Sequence, residues 1–391
     1  MSAPPMDLAP AGPSRLPDSG LGHGWEAATM MGLMLLILSF GLVTLYSASS
    51  VYALRQDLPD TYYVLRQAVG AGIGLVLLLV CAWMPYRFWA HLAWPLVGVS
   101  AFMLLLCVLP WTYGIAPEIK GARRWLQVGV TIQPSEIAKI AIVVWTSAMA
   151  VKKAPHFQNL RRGLVPFFAV WTVVIGLVML GPDLSTAMVI TLLGVIVVFA
   201  AGARVAHFAF LGALVAPLIY LQLQVGFRVD RLRIFLDPLS DPSGAGYQVK
   251  QSLVAFGSGG ISGVGIGEGR QKFGFLPEAH NDFIIAMIGE EWGLIGVLFL
   301  MSLYVGVILV GFRIASRAPD LFGELMAIGF SSLIALQAIL HMAVGLALAP
   351  ATGLALPLVS FGRSNLIMTL VAFGILISIA RAAPGGKAAR G

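Results

Sequence analysis

The sequence predicts an all-α polytopic membrane protein, a bundle of about ten transmembrane helices with a long extracytoplasmic loop. Three observations predict it. The 391 residues are 58% hydrophobic and 11% charged, against roughly 25% charged in an ordinary soluble domain. Apolar runs of about 18 residues or more, each long enough to cross a bilayer, recur between residues 25 and 380. These runs are continuous rather than alternating. Every backbone amide in hydrocarbon must be paired internally, so continuous runs favour helices over a closed barrel.

Residues 1–24 are rich in Pro, Gly, Ser and Ala and lack the basic start and cleavage pattern of a signal peptide. They are expected to form a disordered cytoplasmic tail, followed by a membrane domain over 25–381 and a second short tail over 382–391. Ten spans are predicted, at roughly 25–49, 65–84, 88–110, 135–151, 164–180, 184–201, 205–222, 282–311, 322–345 and 358–380. An even number puts both termini on one side. With the termini inside, the inner connections hold Arg87, Lys152, Lys153, Arg161, Arg162, Arg204, Arg313 and Arg317, against the single acid Asp320. That bias predicts cytoplasmic termini. Cys81 and Cys107 both fall inside apolar spans and read as small core residues.

The outer connections are 50–64, 111–134, 223–281 and 346–357. A loop of the length of 223–281 is usually functional or disordered. Its run 248–256 has helical apolar spacing, so short helices on the outer surface are expected. The outer loops also depart from the inside-positive pattern. Lys120, Arg123 and Arg124 lie in one, and Arg228, Arg231, Arg233, Lys250, Arg270 and Lys272 in another. Cations kept outside point to an anionic partner there, whether a substrate or lipid headgroups. Nothing in the pattern points to nucleic acid.

Charged groups inside a helix bundle are costly and are functional candidates. Glu136 and Lys139 follow Pro134, are three residues apart and share a helix face. They read equally as a self-satisfied pair and as substrate contacts. Asp183 follows Pro182 and is placed either to cap the next helix or to line a cavity. The stretch 267–293 holds Glu278, Asp282, Glu290, Glu291 and His280, with Arg270 and Lys272 upstream. On a continuous helix Glu290 and Glu291 would lie about 12 Å deeper than Asp282, which leaves Asp282 at the mouth to meet a polar substrate. A buried carboxylate has its pKa raised and can take a proton near neutral pH. His280 and Asp282 lack a third ligand and do not make a metal site. Ahead of the last span, the glycines and hydroxyls of 352–365, including Ser360, allow a broken or re-entrant start. Arg363 there needs a carboxylate, a phosphate or water.

These residues fall into motifs. They are Gly121-Ala122-Arg123-Arg124-Trp125, Gln133-Pro134-Ser135-Glu136 with Lys139, Pro182-Asp183 with Thr186, and Arg233-Ile234-Phe235-Leu236-Asp237-Pro238. Gly244-Ala245-Gly246-Tyr247-Gln248, Gly257-Ser258-Gly259-Gly260, Leu276-Pro277-Glu278-Ala279-His280 with Asp282-Phe283-Ile284, and Gly289-Glu290-Glu291-Trp292-Gly293 complete the order. From about residue 30 to 381 the chain resembles the SEDS family of peptidoglycan glycosyltransferases, whose FtsW branch the 276–280 motif favours over RodA. The resemblance implies ten transmembrane helices and cytoplasmic termini. It implies polymerisation of lipid II, an undecaprenyl-pyrophosphate disaccharide-pentapeptide, at the outer face of the cytoplasmic membrane in division or elongation. It also implies a class B penicillin-binding protein as transpeptidase partner, alongside other divisome or elongasome membrane proteins. The family's essential aspartate falls on Asp282.

On that basis Asp282 is the candidate general base. Arg123, Arg124, Arg233, Lys250 and Lys272 are candidates for the pyrophosphate. Glu136, Lys139, Asp183, Glu278, His280, Ser360 and Arg363 are further substrate-binding candidates. No cofactor is built in, and a divalent cation, Mg2+ or Mn2+, is an option beside the pyrophosphate. Gly181, Ser185, Asn281, His341 and Arg363 depart from the family's usual residues. The competing readings are a lipid II flippase, which would also use intramembrane Glu136, Lys139 and Asp183, and a non-catalytic scaffold.

Overall fold

The computed structural model describes residues 24–119, 121–157, 159–209, 212, 234–235 and 244–383. Its helices are α1 (Trp25–Leu54), α2 (Tyr62–Trp83), α3 (Trp89–Val108), α4 (Pro134–Lys153), α5 (Val165–Leu180) and α6 (Leu184–Ala200). They continue with α7 (Ala245–Gly259), α8 (Ile284–Glu291), α9 (Gly293–Ser316), α10 (Leu321–Gly345) and α11 (Arg363–Ala382). Eight of the described helices are long and apolar enough to cross a membrane, and α6 is a shorter apolar helix of the same kind. The chain is a multi-pass α-helical membrane protein. The predicted seventh span, 205–222, lies outside the described residues except for 205–209 and 212.

Burial sorts the helices. Among the helices long enough to span, α4 and α11 are the most enclosed and α10 follows; the short α8 is buried along its whole length. α1, α2, α3, α5 and α9 each turn an apolar face outward, with Val69, Val76, Phe102, Val173, Ile295 and Leu309 exposed. In lipid such faces are solvated, so helix association rests on close packing, and small residues mark where it is closest. A Cβ on Gly374 of α11 would lie 2.5 Å from the Leu78 carbonyl oxygen of α2, and one on Gly74 of α2 would lie 2.4 Å from Leu370. α2 and α11 therefore meet backbone to backbone.

Four local features differ from the linear expectation. The predicted eighth span, 282–311, is two helices. The chain breaks between Glu291 and Gly293, where Gly293 takes φ +66 and a Cβ would lie 2.2 Å from the Gly263 nitrogen. The apolar run 248–256 is a helix, but α7 is packed into the end of the bundle: Ser252 and Ala255 are fully buried. A Cβ on Gly259 would lie 1.9 Å from the Gly289 carbonyl oxygen of α8. The connection 111–134 contains a hairpin, β1 (Leu126–Val128) and β2 (Val130–Ile132), antiparallel about Gly129 at φ +72. Finally, the last span starts at Arg363, and 346–362 enters the bundle as non-helical chain with Leu354, Leu356, Leu358, Val359 and Ser360 buried.

At the start of α10 Asp320 caps the helix, accepting from the Gly323 N–H at 2.9 Å, and takes Tyr86 at 2.9 Å and Arg87 at 2.8 Å. Burial alone would raise its pKa. The Gly323, Tyr86 and Arg87 donors outweigh it and hold the carboxyl below its usual value.

Gly374→Val is expected to destabilise the α2–α11 contact by about 1–3 kcal/mol, read as a lower midpoint of thermal unfolding in detergent. Gly98→Val on α3, where a Cβ meets nothing within 4 Å, is the neutral control.

Candidate functional site

The predicted site residues separate into two groups. Most of the intramembrane charges are held by each other. Lys139 Nζ lies 2.8 Å from Glu136, and Glu136 Oε2 accepts from Asn365 Nδ2 of α11 at 3.1 Å. Lys139 is 1% exposed. This pair ties the two most enclosed spanning helices together. Asp183 caps α6, its oxygens accepting from the Thr186 N–H at 3.1 Å and the Thr186 hydroxyl at 2.9 Å.

Arg123 donates to the carbonyls of Ala116 at 2.9 Å and Leu109 at 2.8 Å and to the Thr112 hydroxyl at 2.8 Å, and its guanidinium lies over the Tyr113 ring. Arg124 donates to the carbonyls of Gly181, at 3.0 Å, and Pro182. These two guanidiniums terminate the α3 and α5 ends and line a small recess with Asp183, Ser135 and Cys107.

The second lock lies at the α8 end. Lys272 is buried and donates to Glu291 Oε1 at 2.9 Å and to the Ser47 hydroxyl of α1 at 3.1 Å, while Ser47 donates to the same Glu291 oxygen at 2.7 Å. Glu290 accepts from the backbone N–H groups of Arg270 at 2.8 Å and Gln271 at 3.2 Å. The adjacent glutamates therefore clamp the 267–273 loop to α1 and α8. Ser47 and Tyr52 mark the levels of Glu291 and His280 along α1, five residues and about 7.5 Å of rise apart. Lys272, read above as a pyrophosphate ligand, already has its counter-charge.

The other group surrounds Asp282. Residues 276–283 form a run of turns in which the N–H groups of Asn281 and Asp282 both reach the Glu278 carbonyl, at 3.0 and 3.1 Å. Glu278 holds φ +55, the left-handed region that costs a residue with a Cβ. His280 is buried among three aromatic rings, with centroids 4.7 Å from Tyr52, 4.9 Å from Tyr63 and 6.0 Å from Phe361. Asp282 is half-buried just before α8.

This segment is sewn to the re-entrant chain. The Phe361 N–H donates to the His280 carbonyl at 3.1 Å, and the Ser360 hydroxyl to the Asn281 carbonyl at 2.8 Å. Ser360 also accepts from the Leu356 N–H at 2.9 Å, so its hydroxyl is occupied by the fold. Gln67 of α2 donates to the Ser360 carbonyl at 2.9 Å and accepts from the Gly362 N–H at 3.2 Å.

Among the remaining candidate cations, Arg363 is half-buried with its side-chain stem against Gly70 of α2. Its guanidinium has no hydrogen-bond or ion-pair partner among the described residues. Lys250 is exposed on α7. Arg233 lies outside the described residues. Among the described residues no cluster of three or more His, Cys, Asp and Glu side chains could hold a metal ion, so no residue set is assigned to a divalent cation. Sequence reasoning missed Gln67, Tyr52, Tyr63 and Ser47. Gln67, a lone amide in an apolar span, was the one with a usable signal.

Asp282 is thus a half-buried carboxylate on an internally braced seam at one end of a membrane bundle. A family model for FtsW, RodA and SpoVE, described as "Cell cycle protein", matches residues 27–384. The chain belongs to the FtsW/RodA/SpoVE family. It is 39% identical over 349 residues to a Trichlorobacter lovleyi protein named "Probable peptidoglycan glycosyltransferase FtsW", covering 89% of this chain and 91% of that one. It is 37% identical over 351 residues to stage V sporulation protein E of Bacillus subtilis, covering 89% and 95%. A solved structure described as a peptidoglycan synthase complex that coordinates polymerisation and crosslinking matches with a TM-score of 0.76 at 30% identity, covering 92% and 98%. The rod shape determining protein RodA of Thermus thermophilus matches with a TM-score of 0.66 at 28% identity, covering 93% and 98%.

Lys272→Ala leaves Glu291 buried without its cation and is expected to cost this family member about 3–5 kcal/mol. The double variant Lys272→Met with Glu291→Leu should recover most of the loss in a detergent melt.

Proposed function

We propose that this FtsW/RodA/SpoVE family member is a glycosyltransferase that polymerises lipid II into glycan strands. It works at the outer face of the cytoplasmic membrane during cell division, with both termini cytoplasmic. The observation that carries the reading is the position of Asp282, a half-buried carboxylate beside a rigid, internally hydrogen-bonded seam. The matches to relatives named for this activity support it.

In the proposed reaction a sugar 4-hydroxyl attacks the anomeric carbon of a second lipid II. Asp282 takes the hydroxyl proton as the new C–O bond forms. The bond from the anomeric carbon to the pyrophosphate oxygen breaks, and undecaprenyl pyrophosphate leaves with the electron pair. Fixed cations stabilise the charge growing on that leaving group. Arg363 and Lys250 are the described outer cations best suited to this, because Lys272, Arg123 and Arg124 already have internal partners. The geometry weighs against the flippase reading, since Glu136, Lys139 and Asp183 satisfy one another or cap a helix. A class B penicillin-binding protein is the proposed partner, in keeping with the likeness to a peptidoglycan synthase complex.

Asp282→Ala, purified with its transpeptidase partner, is expected to lose glycan polymerisation from lipid II while its thermal midpoint stays within a few degrees of wild type. Full polymerisation by this variant overturns the assignment of the base. Transfer of lipid II across liposomes by the wild type, without polymer, would establish the transporter instead.

A further inference from the structure

His341 lies in the interior of α10 and is 1% exposed. Its Nδ1 is 2.7 Å from the Leu354 carbonyl oxygen. A carbonyl only accepts, so Nδ1 carries the proton and Nε2 is left as a bare acceptor. Among the described residues, that Nε2 has no hydrogen-bond partner, and neither has Nε2 of Gln337, one turn away on the same face and equally buried. A buried nitrogen without a partner costs free energy. A leucine would fill similar space without that cost but would leave the Leu354 carbonyl without its donor, so the imidazole is held for its Nδ1 bond and not for packing.

The Nδ1 bond leads towards the seam. Leu354 follows Gly353, which holds φ +67, and a Cβ built on Gly353 would lie 4.0 Å from Asp282 Oδ2. On the preceding residue, the Thr352 carbonyl accepts from the Ser185 hydroxyl of α6 at 2.8 Å. The 352–354 backbone is thus fixed from α6 and from α10 and lies against the carboxylate. One turn beyond His341, Gly345 packs against Ile285, three residues after Asp282 (a Cβ there would lie 2.3 Å from Ile285 Cγ2). The same helix supports both sides of the seam.

We propose that His341 is a positioning residue for Asp282: its Nδ1–H holds the Leu354 carbonyl, and through it sets the 353–354 backbone that packs beside the Asp282 carboxylate. The proposal rests on Asp282 being the base. A shift of about 1 Å in a reacting group costs rate far more than binding, so losing this bond acts on kcat. Neither Nε2 nor Gln337 is needed for the effect.

The test uses the full-length protein with its transpeptidase partner and lipid II. His341→Leu is expected to lower kcat by about 10- to 100-fold, with KM changed by less than about twofold and the thermal midpoint lowered by no more than a few degrees, because the Leu354 carbonyl loses its donor. His341→Asn, whose amide nitrogen can donate from close to the Nδ1 position, is expected to restore kcat to within about threefold of wild type. Wild-type kcat in His341→Leu, or His341→Asn as slow as His341→Leu, overturns the proposal. So does a kcat loss that disappears when the assay is run well below the variant's own thermal midpoint. Asp282→Ala in the same assay separates the two claims. If Asp282→Ala polymerises fully, the base assignment fails and takes the proposal with it. If Asp282→Ala is inactive and His341→Leu is fully active, the positioning role alone fails.

Discussion

Backbone that leaves the helix inside a membrane bundle has no water to satisfy it. Residues 346–362 do this, and the surrounding polar side chains follow from it. Ser185 serves the Thr352 carbonyl, His341 that of Leu354, Tyr304 that of Pro357 and Gln67 that of Ser360. The Leu356, Phe361 and Gly362 N–H groups go to Ser360, His280 and Gln67. Four helices thereby donate a polar side chain to one stretch of irregular chain. The backbone beside Asp282 is fixed by hydrogen bonds, which preserve a geometry better than apolar contact alone.

The same constraint governs the buried charges. A lone charge in this interior is expensive, and a paired one is tolerated when its remaining hydrogen bonds are made. Glu136 with Lys139 and Asn365 meets that condition across two helices; Glu291 is paired with Lys272 and Ser47 through Oε1, while its buried Oε2 has no hydrogen-bond partner among the described residues. These groups fix register between elements distant in sequence. Several intramembrane charges that read as substrate contacts in the sequence are thus accounted for by folding, which leaves the proposed chemistry to Asp282, with Arg363 as the proposed anion ligand.

Membrane packing supplies the remaining rigidity. The close approaches at Gly374, Gly259 and Gly293 let backbones touch, and each sits where an irregular segment meets a helix or where enclosed helices cross. The break after Glu291 follows from one of them. Gly293 at φ +66 fits against Gly263, so the short helix behind Asp282 ends there and a separate span begins.

Hydropathy is a local property, and it sufficed for the membrane class, for most of the spans among the described residues and for the polar mouth at 278–293. Helical spacing found α7, and the Pro182-Asp183 pattern found the α6 cap, because each is decided within a few residues. The division of polar residues between structure and chemistry was not local. Ser47 meets Glu291 across 244 positions and Gln67 meets Ser360 across 293. A serine or glutamine in an apolar span looks the same whether it lines a cavity or bonds a distant carbonyl. The sequence alone determined which residues are costly to bury. Only the tertiary structure decided which of them have a partner, because that depends on which helices touch and where the chain between them leaves the helix.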